Sequence, residues 1–320
     1  MDQHEHYDEA DLAAVQAFSP QMGGLREDES VFAARQLDYV KARTYDRKLP
    51  PMKGLTLVPQ TSEVPEWAET FTYRYYDQVG MAKVVANYAD DLPRADVKGA
   101  EKTVRIKDIG DSYGYNIAEL RASTALGANL PTRKASAARR AIEVKLNQIA
   151  MVGDVQYGLF GLTNHPNIGL TVGLNGDWAN PATTADQMLA DLDALYGAVR
   201  VQSSGIHTPN RFALPNEQYA AMTSKRLPDS NGLTVAEFFK RKYPQMQYEE
   251  APELATAGTG GTSLAVMYEF GEENLSMENP MPFNQLPAQA RNLELVVPCL
   301  ARTAGVTVYY PLALTKAEGL

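Results

Sequence analysis

At 320 residues, 44% of them hydrophobic, the chain is long enough for one large core or two modest ones, with the apolar fraction of an ordinary globular protein. Its apolar runs, such as Leu293 to Ala301 with Glu294 and Pro298 inside it, fall short of the roughly 20 residues a membrane span needs, and Met1-Asp2-Gln3-His4-Glu5-His6 is unlike a secretory signal; cytoplasmic synthesis is expected. A net charge of −9 argues against tight nucleic-acid binding but not against a wall that merely surrounds nucleic acid, and the single cysteine, Cys299, excludes an intrachain disulfide and a cysteine-based zinc cluster.

The charge is unevenly placed. Residues 1–30 hold eight acidic side chains against Arg26 alone, a net of −7, which leaves −2 for the other 290 residues. That first segment is polar, is broken by Pro20 and Gly23-Gly24, and carries only a short helical hint at Leu12, Val15 and Phe18. It reads as a mobile arm, although composition fits an ordinary frayed terminus as well. Residues 31–53 switch sign through Arg35, Lys41, Arg43, Arg47, Lys48 and Lys53, as suits an arm that lies on another surface.

Next come two strand candidates rich in β-branched and aromatic residues, Thr70 to Tyr76 and Thr103 to Lys107. Between them Asp77 to Lys102 has too few large apolar residues to build a core and reads as a long projecting loop, unusual in a compact domain unless it has a task. After Pro131, placed where proline suits a helix start, Ala135, Ala138, Ile142, Leu146, Ile149 and Gly153 recur at spacings of three and four. They predict a helix roughly 33 Å long, natural for a structural spine.

A second amphipathic helix is predicted from an N-cap at Thr184 through Met188, Leu189, Leu192, Leu195, Tyr196 and Val199. A strand at Arg211–Leu214 and helices near Asn216–Ser224 and Val235–Lys242 follow, then a flexible loop at Gly258–Gly261 and a strand from Ser263 to Phe270. Two closing strands, Leu293–Ala301 and Gly305–Tyr310, are expected to complete a sheet near the spine, with Cys299 as a small apolar residue on a buried strand.

Signs of catalysis are weak. His4 and His6 lie in the arm, while His165 and His207 sit in the turn contexts Asn164-His165-Pro166 and His207-Thr208-Pro209, outside any metal-binding or triad-like signature. The Gly258–Gly261 cluster has no following Gly-Lys-Ser/Thr, and Asp90-Asp91 and Glu249-Glu250 read as solvated surface charge. Tyr73, Tyr75 and Tyr76 read as a packed strand surface, since Arg74 is the only basic residue among them. No cofactor motif is found.

The order of elements, with several strings, resembles the tailed-phage major capsid fold shared with bacterial encapsulins, and in particular a phage coat-protein family with encapsulin-like features. The strings are Phe32 to Val40, Gly80 to Lys83 leading to Ala89 to Pro93, Gly153-Asp154, Gly158 to Pro166, and Val297 to Val306. They run over nearly the whole chain from residue 31 onward; each alone is weakly specific, and their order around a long helix carries the match.

The resemblance implies an α+β subunit with an N-terminal arm (1–58), an extended β-hairpin loop with its flanking strands (59–115), a peripheral domain carrying the spine helix (116–182 and 284–320) and an axial domain (183–283). It implies a structural protein, not an enzyme, that self-assembles into pentamers and hexamers of an icosahedral virion capsid around double-stranded DNA, without sequence-specific contact. Portal and possibly scaffold or decoration proteins would be its partners, and assembly would take place in the host cytoplasm. Gly80, Met81, Val84, Val85 and Leu92 are then the candidate loop contacts to a neighbouring subunit, with local packing inside the hairpin as the other reading of the same residues. Two other functions stay open: an encapsulin-type nanocompartment that holds an enzyme, and a soluble hydrolase with a histidine base.

Overall fold

Just past the arm, the single helical turn α1 (Gly54–Leu57) is locked onto the long helix α2 (Leu130–Val152). Gly54 donates its N–H to Asn147 Oδ1 at 2.7 Å, and a β-carbon there would lie 2.9 Å from the Asn147 carbonyl oxygen, so glycine is required by the close approach. Leu57 is fully buried, its carbonyl accepts from the Tyr268 hydroxyl at 2.6 Å, and Val58 is buried beside it. The body therefore begins before residue 58, the expected end of the arm, because these apolar side chains enter the core. This computed structural model describes residues 52–79, 96–116, 118–119, 121, 130–228, 230–292 and 294–320.

Strands β2 (Thr70–Val79) and β3 (Asp96–Arg105) form an antiparallel ribbon of ten residue pairs, from Thr70 opposite Arg105 to Val79 opposite Asp96. The expected loop at 77–102 is thus partly strand: pairing continues through Asp77, Lys98 and Gly99, residues of low strand propensity, because a partner backbone overrides that weak preference. The expected strand at 103–107 is cut in two. Ile106 turns inward, buried with Ala68 and Ala304, and Lys107 opens β4 (Lys107–Asn116), which leaves the ribbon for another sheet.

In that sheet, β4 runs antiparallel to β12 (Glu294–Thr303) from Lys107 opposite Thr303 to Asn116 opposite Glu294. Strands β10 (Met281–Gln285) and β11 (Gln289–Arg291) pair with the other edge of β12. Helix α2 packs beside β4 and β12, and its buried face is the expected set Ala138, Ile142, Leu146 and Ile149, with Ala135 partly buried. Cys299 is buried on β12, as expected.

The five-stranded sheet has the order β5-β14-β8-β6-β7: β5 (Gly169–Leu170), β6 (Arg211–Leu214), β7 (Gln247–Glu250), β8 (Leu264–Tyr268) and β14 (Leu314–Glu318). Against it lie α3 (Ala185–Gln202), α4 (Asn216–Ser224) and α5 (Val235–Lys242). Thr184 and Gln187 close a capping box on α3, and Thr234 and Glu237 do the same for α5. The glycine stretch expected as a loop forms a short 3-10 turn at Thr259–Gly261.

A small sheet joins β1 (Gln60–Thr61), β9 (Leu275–Glu278) and β13 (Val306–Val308). The strands of residues 284–320 therefore divide among three sheets, with only β10, β11, β12 and β4 beside one another near the long helix.

Ile142 is 1% exposed in the core under α2. Ile142→Asp should cost several kcal/mol, on the order of the whole stability margin of a domain. Expression should yield no soluble folded protein, and a parent-like yield and melting curve would show that this face is not buried.

Candidate assembly surface

The ribbon is anchored at one end and open along the rest. At its base Ile106, Ala68 and Ala304 form a small apolar cluster with Val64, Phe71 and Val104, and Tyr73 meets Tyr309 edge-on at 4.9 Å. Beyond that, Arg74 to Asp77 and Val97 to Gly99 are exposed, with Tyr76 at 67%. The exposed ion pair Arg74–Glu101 and the Thr72–Thr103 hydroxyl contact knit the two strands across this stretch. Gly80, Met81, Val84, Val85 and Leu92 lie outside the described residues.

Two polar clamps set the ribbon base. The buried Glu278 carboxylate accepts from the Thr61 hydroxyl and, at 2.8 Å, from the Val64 N–H. Arg302 pairs with Asp108 at 2.6 Å and donates to the Glu66 carbonyl. Sequence reasoning missed both, because Glu278 and Arg302 stand more than 200 positions from the ribbon-leading segment they hold.

Below the ribbon, three of the strings noted in the sequence meet in space. Helix α2 ends at Gly153 in the left-handed conformation, φ +73°, and the chain returns through residues 158–165 to cover that end. Leu162 donates its N–H to Ala150 O at 2.8 Å, and Thr163 gives both its N–H and its hydroxyl to Met151 O at 2.9 Å, satisfying late carbonyls of the helix. A β-carbon on Gly161 would lie 2.4 Å from the Gly153 nitrogen, and Val306 N–H bonds Phe160 O at 2.7 Å.

His165 is 2% exposed in this junction, with Phe160 edge-on at 5.3 Å. Burial first, and then the positive charges of Lys102 and Lys316, push its pKa down to about 4. Its Nδ1 accepts the Asn167 N–H at 3.3 Å. His207 sits elsewhere, with Nδ1 2.7 Å from a Glu269 carboxylate oxygen and its ring near Tyr310. Among the described residues neither imidazole is hydrogen-bonded to a serine, threonine or cysteine side chain, and no group of three His, Cys, Asp or Glu is placed to hold a metal ion. No helix among them is long and apolar enough to cross a membrane.

An exposed two-stranded ribbon, a 23-residue helix on a four-stranded sheet and a second sheet-and-helix layer together make the fold of phage capsid subunits. The chain belongs to the major capsid protein family, whose profile matches residues 80–320. Its structure is similar to the capsid of Myoviridae phage XM1, with a TM-score of 0.79 at 18% identity over 93% of this chain and 100% of that one. The capsid of a native GTA particle gives 0.63 at 12% identity, covering 92% of this chain and 99% of that one. A virus-like particle from Pyrococcus furiosus gives 0.50 at 14% identity, covering 82% and 91%. No curated protein sequence matches the chain. It is a structural, shell-forming protein of a phage virion capsid, as the resemblance implied.

The junction yields two predictions. Gly161→Ala sets a methyl group against backbone on both sides, and should lower stability by about 1–3 kcal/mol, read from the denaturation midpoint. For His165 the folded pKa lies below the unfolded one near 6.5, so the unfolded chain gains a proton first as pH falls. Stability from this group should be full above about pH 6.5, decline between pH 6.5 and 4 by up to about 3 kcal/mol, and level off below. Urea melts across that range should show the decline in the parent and a flatter profile in His165→Gln.

Proposed function

We propose that the shell encloses double-stranded DNA and that the ribbon, with Gly80, Met81, Val84, Val85 and Leu92 at its far end, lies on a neighbouring subunit. What supports this is the ribbon itself: ten residue pairs of backbone pairing whose outer side chains are left exposed. A lone two-stranded ribbon is marginal in water, and its apolar side chains lose contact with water only against another surface. One surface fitting a different surface on the next copy is a heterologous contact, which repeats around a ring and from rings builds a shell.

On this reading residues 1–58 include the arm, 59–115 the loop and its strands, 116–182 with 284–320 the peripheral domain, and 183–283 the axial domain. Pentamers and hexamers form in the host cytoplasm and work with a portal, and with scaffold or decoration proteins where the virus has them. DNA is held as bulk content. The body carries almost no net charge once the acidic first 30 residues are set aside, which suits a wall better than a phosphate-binding surface. The second reading is the encapsulin-type compartment with protein contents that the resemblance left open; the likeness to the virus-like particle from Pyrococcus furiosus is one of fold and fits either shell. Nuclease treatment of purified particles separates the two: protected double-stranded DNA of uniform length favours the phage shell, and particles that hold an enzyme and no DNA favour the compartment.

Asp77 faces Lys98 in the ribbon, so replacing residues 77–98 with a two-residue Asn-Gly turn keeps Tyr76 opposite Gly99 and the hairpin in register. The subunit should still fold and melt cooperatively, because none of the described residues of this stretch belongs to the buried clusters. Closed shells should be absent by negative-stain microscopy. Shells like the parent's would show that the ribbon tip is not an assembly contact, and an unfolded variant would place it in the subunit's own core.

A further inference from the structure

The four-stranded sheet ends at β4, whose outer edge is open. In an antiparallel ladder alternate residues turn their backbone N–H and C=O toward the partner strand, and the residues between them turn theirs away. On the far side of β12, Leu286 N–H bonds Pro298 O at 2.9 Å, so Pro298 turns from β4. Ser112 stands opposite Pro298 and therefore turns its own backbone groups outward, with Asp108, Gly110 and Gly114 in step. Two side-chain contacts agree: Asp111 Oδ1 takes the Ser112 N–H at 2.8 Å, and Lys134 Nζ donates to Gly114 O at 2.8 Å. Among the described residues nothing bonds the outward N–H and C=O of Asp108 and Gly110, and both residues are exposed.

A groove of about 630 Å³ runs beside Lys107 to Asp111, with α2 as its other wall and the buried Ile142 and Ile149 at its floor. Edges as long as this one are usually covered, bulged or kept short, because an open row of donors and acceptors recruits another strand. Lys134 covers only the end at Gly114.

What fits the edge is a strand with an open edge of its own. The sheet edges at β5 and β7 are two and four residues long, whereas each strand of the ribbon has ten, the length of β4. Ile106 N–H bonds Glu69 O at 2.9 Å in continuation of the ribbon register, so the odd-numbered residues of β2 face β3, and Thr72, Arg74 and Tyr76 turn their backbone groups outward. Strand β2 also carries Tyr75 and Tyr76, 54% and 67% exposed and on opposite faces, where β3 offers Ala100 and Gly99. Set beside β4, it brings one of these rings toward the groove, and tyrosine is a common anchor of protein interfaces. In its own chain β2 does not pair with β4, so the strand comes from a second copy.

We propose that the outer edge of β2 from a second copy adds to the open edge of β4 as a further strand, held by backbone hydrogen bonds through Asp108 and Gly110. This rests on the reading that the ribbon lies on a neighbouring subunit, and names the surface that receives it and the bonds that hold it.

Two experiments on the full-length protein test this. Residue-resolved hydrogen exchange compares dissociated subunits with assembled particles. The amides of Asp108, Gly110, Thr72, Arg74 and Tyr76 should exchange at least about tenfold more slowly in particles, while those of Ile109 and Asp111, which face β12, should be slow in both states. The second experiment is Gly110→Pro, which removes one outward N–H and leaves the ladder to β12 intact, a placement that proline tolerates on an edge strand. A β-carbon at Gly110 meets nothing closer than Cys299 O at 3.8 Å. The variant should fold and melt as the parent does yet form closed shells at less than about one tenth of the parent's yield, and Gly110→Ala, which keeps the N–H, should assemble normally. Parent-like shells from Gly110→Pro overturn the proposal, as does unchanged exchange at Asp108 and Gly110, or slowing there without slowing on β2. Should Gly110→Pro not fold, the exchange comparison on the parent decides alone. Shells from Gly110→Pro but none from the chain shortened at residues 77–98 reject this edge and leave the ribbon contact standing, whereas shells from both overturn the ribbon reading as well.

Discussion

Strand β8 is buried on both faces, and the rest of the body depends on it. All five of its residues are within 1% of full burial. Because side chains alternate along a strand, Leu264, Val266 and Tyr268 enter the core beneath α2, while Ala265 and Met267 enter the core beneath α3, α4 and α5. One strand thus joins two apolar clusters, and neither can loosen without exposing its wall. Tyr268 adds a polar tie: burial raises its pKa, the hydroxyl stays protonated, and it donates to Leu57 at the point where the chain enters the body.

The ribbon obeys the opposite rule. Each of its strands pairs along one edge only, where β8 pairs along both, and its outer side chains are left to the solvent. Hydrogen bonding alone contributes little net stability, since water makes the same bonds, and burial is what distinguishes a core strand from a projecting one. In a family of shell-building proteins this division has a use. The body folds by its own burial, and on the reading proposed above the ribbon is surface for a second copy to cover.

Polar ties with long reach fix how the pieces sit. Asp191, buried on α3, accepts from Asn175 N–H, Asn175 Nδ2 and Trp178 Nε1, so the segment before the helix is drawn over it and Trp178 is fully buried. Asn147 on α2 holds Gly54 with its oxygen and Glu253 with its nitrogen. Glu278 and Arg302 clamp the ribbon base in the same manner. Asp191, Asn147 and Glu278 are buried with donors or acceptors around them, which makes the removal of any of them more damaging than its net contribution suggests.

What the sequence by itself determined was local. Helix α2 could be read from apolar residues at spacings of three and four, and α3 from those and the Thr184 cap, because the cause of a helix lies within one turn of each residue. The strand at Arg211–Leu214 and the helices at Asn216–Ser224 and Val235–Lys242 were legible for the same reason. Tertiary structure alone decided how far the ribbon extends through Asp77, Lys98 and Gly99, where Ile106 breaks it, and that Leu314–Glu318 joins β8. It also brought Gly153, Gly161 and Gly305 to one junction and buried His165 beside it. A strand's partner lies across the molecule, and a β-carbon clash or a buried imidazole exists only once distant segments have met, so no window of sequence contains either.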